Sequence, residues 1–144
     1  MTSERVRDAM VAEPRTLDAS ATARDAGEAL SRPEVRAVLV CDDGRLVGVV
    51  TRKTLVRAVV AAGLDPTATR LGDVVEQPYL TLDADMGLED AFHLLDERDL
   101  ERVPVLEEGR LVGVLSRVVV QRRLAEDETP ADELEPAPDG SAPA

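Results

Sequence analysis

The chain has 144 residues, with 29 acids against 17 bases, a net charge of −12, and only two aromatic residues, Tyr79 and Phe92. That length suits one compact domain or two small halves sharing a core, and the core must come from Val, Leu and Ala. So acidic a chain repels nucleic-acid backbones and anionic lipid surfaces, and so few rings leave no aromatic platforms for stacking bases. Seven of the acids, Glu126 to Asp139, follow Leu124 with no base among them; the remainder is 22 acids against 17 bases, which still permits a small anion in a locally basic cleft. Cys41 is the single cysteine, so an intramolecular disulfide is excluded and the residue reads as a small buried hydrophobe. Neither end reads as a signal peptide and the apolar runs are strand-sized, so a soluble cytoplasmic protein is expected.

In chain order, an amphipathic helical turn over Val6–Met10 precedes Pro14 and a strand around Arg15–Leu17. A helix follows over Ala23–Arg32, with Ser20 or Thr22 as its cap and Ala26, Ala29 and Leu30 on one face. Val38–Cys41 is an apolar run suited to a strand covered on both faces. "DDG" at Asp42–Gly44 turns the chain, the glycine taking the positive φ, and Leu46–Val50 returns as the hairpin's second strand. A helix from Arg52 to Ala62 is ended by Gly63, and Asp65–Pro66 starts a turn.

The same succession then recurs: a helical turn over Leu71–Val75, Pro78, a strand at Tyr79–Leu82, and a helix over Leu88–Arg98 with Asp85 as its cap candidate. Ala91, Leu94 and Leu95 share a face of that helix. A strand at Val103–Leu106, the "EEG" turn at Glu107–Gly109, a strand at Leu111–Leu115 and a helix from Arg117 to about Glu126 complete it. "GRLVGVVTRKT" from Gly44 matches "GRLVGVLSRVV" from Gly109, 65 residues on, and the register also pairs Arg5 with Arg70, Thr16–Ala19 with Thr81–Ala84, and Arg57 with Arg122. So long a period marks a duplicated half-domain rather than a solenoid unit. Gly48 and Gly113 stand mid-strand, where either a closely packed neighbour or a ligand requires the space.

The ordered pattern of helical turn, proline, "TLDA", helix, "VPV", acidic-glycine turn, "LVGVLSR" and helix, twice over, resembles a tandem pair of cystathionine-β-synthase (CBS) domains covering residues 1–124. The expected fold is α/β (α+β): two β-α-β-β-α motifs related by a pseudo-two-fold axis, over 1–62 and 70–124. Residues 63–69 link them, and 125–144 form an acidic Pro/Ala-rich disordered tail. The resemblance implies a non-catalytic regulatory module that forms homodimers. It also implies an adenine nucleotide (AMP, ADP or ATP) or S-adenosylmethionine as regulatory ligand between the motifs, with no cofactor required.

In CBS domains that bind such ligands, a Ser or Thr ends the glycine strand and an Asp three residues later holds the ribose hydroxyls. Thr51 and Ser116 occupy the first position, while Thr54 and Val119 stand where the acid belongs. A basic residue before the "VPV" strand is directed at phosphate; Arg102 fits, and its counterpart is Ala37. The candidate ligand residues are therefore Thr16, Leu17, Val38, Thr51, Arg52 and Thr54 in the first motif, and Thr81, Leu82, Arg102, Val103, Pro104, Ser116 and Arg117 in the second. Helix capping explains Thr51 and Ser116 without a ligand. Arg52 and Arg117 follow those caps, where free N–H groups and the helix dipole favour an anion, or else they stand solvated. Loss of the carboxylate removes a charged hydrogen bond of roughly 1.5–3 kcal/mol, about one to two orders of magnitude in affinity.

Two function classes stay open: a regulatory CBS pair sensing a phosphate-bearing adenosyl ligand, and a ligand-free dimeric scaffold read by a protein partner. Catalysis is not expected. Asp42–Asp43 and Glu107–Glu108 are paired acids explained by turn chemistry. The lone histidine, His93, is expected on a helix surface, and no converging set of metal ligands is visible.

Overall fold

The computed structural model describes residues 4–12 and 14–132. In the first half, β2 (Thr16–Asp18) runs parallel to β3 (Val38–Asp42), which pairs antiparallel with β4 (Arg45–Val50). α2 (Ala23–Leu30) connects β2 to β3. Thr22 caps it: the Thr22 hydroxyl accepts the Asp25 N–H while the Asp25 carboxylate accepts the Thr22 N–H, so two orphan donors of the helix end are satisfied reciprocally. Ala23, Ala26 and Leu30 form its buried stripe. The second half repeats the arrangement with β5 (Leu82–Asp83), α4 (Leu88–Glu97), β6 (Arg102–Glu107), β7 (Arg110–Ser116) and α5 (Arg117–Asp132). Each hairpin turns on two residues of positive φ, Asp43 and Gly44 at 55° and 83°, Glu108 and Gly109 at 54° and 83°. That conformation matches the twist of the flanking strands.

The half-sheets join on one rung, Arg45 opposite Arg110, giving the strand order β2-β3-β4-β7-β6-β5. Each repeat also sends its leading segment onto the other. α1 (Val6–Ala9) buries Val6 and Ala9 among Leu82, Leu88, Leu95, Leu115 and Val120 of the second core, and β1 (Val11–Ala12) pairs with β7 through Val11 and Val114. Conversely, the 3-10 turn Leu71–Asp73 places Leu71 among Ala26, Leu30, Val40 and Val50 of the first core, and Glu76 bridges Val49. The bridges Arg5–Gly87 and Thr22–Arg70 stand in the same relation. Every one of these contacts maps onto its mate by the 65-residue offset, which establishes the pseudo-two-fold axis.

The exchange explains the mid-strand glycines. A Cβ at Gly48 would lie 2.7 Å from Val75 Cβ and 2.8 Å from the Glu76 carbonyl oxygen; at Gly113 it would lie 2.6 Å from Met10 Sδ and 2.8 Å from the Val11 carbonyl oxygen. The crossing segment, rather than a ligand, claims the space.

Some boundaries differ from the expected ones. The helix anticipated over Arg52–Ala62 is α-helical only as α3 (Arg52–Leu55) and continues as a π-helix over Val56–Val60, with Ala61 N–H bonded to the Val56 carbonyl. α4 is entered through Gly87 in extended backbone, and Asp85, the expected cap, receives the Arg7 guanidinium at 2.7 Å instead. α5 continues beyond Leu124 to Asp132, so the start of the expected tail is helical; residues 133–144 lie outside the described residues. Cys41 is buried and His93 is exposed on α4.

Candidate functional site

Strand register carries the candidate residues to one end of each half-sheet. In the first half, Thr16 lies opposite Leu39 and Val38 opposite Val50, with Thr51 next in the chain. Thr16, Leu17, Val38, Thr51, Arg52 and Thr54 thus belong to the end where α3 begins. In the second, Arg102 lies opposite Ser116, Val103 opposite Leu115, Pro104 opposite Val114, and Leu82 opposite Val105. Thr81, Leu82, Arg102, Val103, Pro104, Ser116 and Arg117 belong to the end where α5 begins.

Availability separates them. Val38, Leu82, Val103 and Pro104 are buried, leaving backbone groups as what they can offer a ligand. Thr54, at the acid position of the first motif, is fully buried. Its hydroxyl accepts the Thr51 N–H at 3.0 Å and lies 3.0 Å from Thr51 Oγ1, while the Thr54 N–H donates to Thr51 Oγ1 at 3.2 Å. The two threonines form a capping box for α3 in which Thr54 takes the part usually played by an acid. Contrary to the ribose role considered for it, Thr54 is turned into the fold.

The arginines also divide. Arg52 Nη2 donates to the Arg32 carbonyl at 2.8 Å. Arg117 donates to Asp99 at 3.0 Å and Asp96 at 2.9 Å, lies 3.8 Å from Glu101, and its backbone N–H donates to the Glu101 carbonyl at 2.8 Å. Asp99, with the charges of Asp96 and Glu101, raises the guanidinium's affinity for its proton. Arg117 is therefore committed to three carboxylates, which corrects its placement as a free phosphate ligand. The Arg102 side chain is exposed and makes no hydrogen bond or ion pair among the described residues. It stands beside Ser116, on neighbouring strands, at the N-terminus of α5.

Two depressions lie on the surface; the first reaches the β3–β4 turn at Asp43 and Gly44, the end of the hairpin opposite Thr51. One, of about 330 Å³, is lined by Pro14, Thr16, Leu17, Asp18, Cys41, Asp43, Gly44 and Leu111. It carries two carboxylates and no base, so an anion is disfavoured there. The Ser20 hydroxyl and N–H hold the Asp18 carboxyl below its usual range, while burial and the Asp18 charge push the Cys41 thiol up, away from thiolate chemistry. The other, of about 270 Å³, is lined by Tyr79, Arg98 and Leu100, none of which the pattern reading singled out. Their repeat mates are Pro14, Pro33 and Val35, so the available signal was the departure of the second copy from the first. Among the described residues, no three His, Cys, Asp or Glu side chains gather as metal ligands, and no helix is long and apolar enough to cross a membrane.

Comparison with known proteins agrees with this architecture. The family model for the CBS domain matches residues 6–61 and 71–126. Hypoxic response protein 1 of Mycobacterium tuberculosis is 31% identical over 121 residues, 83% of this chain and 85% of that one. The crystal structure of Hypoxic Response Protein I, with two coordinated zinc ions, superposes with a TM-score of 0.71 and 29% identity, covering 85% of this chain and 99% of the other. CBSX2 of Arabidopsis thaliana superposes at 0.70 with 28% identity, covering 88% and 98%. CBSX2 in complex with AMP superposes at 0.67 with 28% identity, covering 86% and 98%. Matched over both repeats, and built as two copies of one unit about a pseudo-two-fold axis, the chain belongs to the CBS domain family and is a tandem CBS pair.

Proposed function

We propose that the chain is a non-catalytic regulatory module of the cytoplasm that senses an adenine nucleotide or a related phosphate-bearing metabolite. The observation that carries this reading is the unpaired, exposed guanidinium of Arg102 beside Ser116, where the backbone N–H groups that open α5 add to the attraction for an anion. The AMP complex of CBSX2, similar over most of both chains, supports the same ligand class. Calorimetry and thermal shift with AMP, ADP, ATP and S-adenosylmethionine test it. A ligand at a hundred times its dissociation constant adds about 2.7 kcal/mol of stability, and Arg102→Ala is expected to reduce the shift. Absence of heat and of any shift with all four ligands removes the reading.

A second reading, a ligand-free dimeric scaffold, is favoured by exposed apolar side chains after the two strand-ending hydroxyl residues: Val56 and Val60 after Thr51, and Val118 after Ser116. Sedimentation of the full chain and of Val60→Asp tests it. A dimer that dissociates on this change supports an interface on that face; a monomeric wild type ends the reading.

A further inference from the structure

We infer that oxidation of Met10 to its sulfoxide releases the leading segment, residues 4–12, from the second core, which gives the chain a peroxide-sensitive junction in one half alone. Nucleotide binding plays no part in it.

The two segments that cross between the halves are tied by the same backbone bonds. The Val6 and Arg7 N–H groups donate to the Met86 and Ala84 carbonyls at 2.9 and 3.0 Å, and the Leu88 N–H donates to the Glu4 carbonyl at 3.0 Å. Their repeat mates follow suit: the Leu71 and Gly72 N–H groups donate to the Ala21 and Ala19 carbonyls at 2.8 and 2.9 Å, and the Ala23 N–H to the Thr69 carbonyl at 2.8 Å. The side chains at the two junctions differ. Met10 and Met86, the only methionines beyond Met1, both pack against the second core, whereas the mates that pack against the first are Val75 and Ala21. The duplication therefore supplies two equivalent junctions, with thioethers at only one.

Both methionines are half-buried, so a small oxidant reaches them. Cys41 is buried and its thiol is pushed up in pKa, which makes it a poor competitor for that oxidant. With hydrogen peroxide, the thioether lone pair attacks one peroxide oxygen, the O–O bond breaks and water leaves; the sulfur loses two electrons and the peroxide gains them. The product is bulkier and polar where the side chain had been apolar. Met10 has little room for it, since its Sδ would lie 2.6 Å from a Cβ at Gly113. Glycine also has no side chain to donate a hydrogen bond to the new oxygen, and a polar group held against the core without a partner is unfavourable. Against this the segment has Val6 and Ala9 in the core, and the ion pairs of Arg7 with Asp85 and Glu107, which are exposed and hold weakly in water. Release also removes the pairing of Val11 and Ala12 with Val114 and Gly113 of β7.

The test has its control built into the repeat. The full chain is treated with hydrogen peroxide, mass spectrometry locates the added oxygen, and amide exchange at Val6, Arg7 and Leu88 is compared with that at Leu71, Gly72 and Ala23. The expected result is a sulfoxide at Met10 and exchange roughly tenfold faster or more at the first three amides, with their mates unchanged. Met10→Leu, which nearly conserves volume, is expected to keep all six amides protected after the same treatment, while Met86→Leu leaves the effect in place. Met10 unmodified by peroxide that oxidises free methionine, oxidised Met10 with unchanged exchange, equal acceleration of both sets, or an effect lost in Met86→Leu and kept in Met10→Leu overturns the inference.

Discussion

Arg45 and Arg110 are Cα partners on the single rung between β4 and β7, and each reaches over the other's turn. The Arg110 guanidinium lies against Gly44 and that of Arg45 against Gly109. The two are repeat mates, so the pseudo-two-fold axis crosses the sheet between them, and the Leu111 N–H, donating to the Gly44 carbonyl at 3.1 Å, reinforces the seam.

A side chain at either turn glycine meets a left-handed backbone, φ 83° at both, and an arginine that must swing aside. Gly44→Ala and Gly109→Ala are each expected to cost about 1–2 kcal/mol from the backbone alone. Because the guanidinium is the far end of a flexible chain, its displacement adds little. Urea unfolding of both variants checks the values, and a clear inequality between them would break the equivalence of the halves at the axis.

The strand glycines should be unequal. An alanine at Gly48 meets the branched Val75 as well as the Glu76 carbonyl, whereas at Gly113 it meets the flexible thioether of Met10 and the Val11 carbonyl. Overpacking of this kind costs about 1–3 kcal/mol, and Met yields more readily than Val. Gly113→Ala is expected to be the milder change in thermal melts; the reverse order would contradict this account of the crossing segments.

Acid should expose the local carboxylate turns. The Ser20 hydroxyl and N–H lower the Asp18 pKa in the folded state, and the Thr67 N–H and hydroxyl do the same to Asp65. A folded pKa below the unfolded one contributes stability that is present above the ordinary Asp range and is lost as pH falls through the depressed value. Ser20→Ala and Thr67→Ala are expected to unfold at lower urea than wild type at neutral pH, with the gap shrinking as both carboxylates protonate. A gap independent of pH would place the effect in packing instead.

Val119 offers a gain-of-function test. It is half-buried in the first turn of α5, at the position where the family pattern carries its ribose-binding acid. Val119→Asp is expected to tighten AMP by roughly ten- to a hundredfold, while affinity for adenine, which lacks the ribose, stays unchanged. An equal gain for AMP and adenine by calorimetry would reject the ribose contact.

Much of each half was legible because its signals are local. "DDG" and "EEG" specify two-residue turns through Gly44 and Gly109, and the apolar runs around Val40 and Val105 specify covered strands. Which core a segment joins is not local: nothing near Val6 or Leu71 says that each packs on the other repeat, because that choice is made by long-range burial. The slip of α3 into a π-helix over Val56–Val60 has no local signal in the sequence, since Val118–Val120 sit in a regular α-helix. Thr54 lay within reach, since a Thr three residues after a capping Thr can close a capping box as well as replace a ribose acid. Tyr79, Arg98 and Leu100 are each unremarkable surface choices in the sequence and acquire meaning only where the fold brings them to one concavity.

The exchange of leading segments makes the duplicated motif a poor unit of autonomy. Residues 4–69 on their own lack Leu71, which plugs their core, and residues 70–132 lack Val6 and Ala9, so each half is corked by the other. Such interlocked halves melt together as one cooperative body. The strand that ends at the head of α5 is itself held by a segment of the other repeat, through the pairing of Val11 with Val114 and of Ala12 with Gly113.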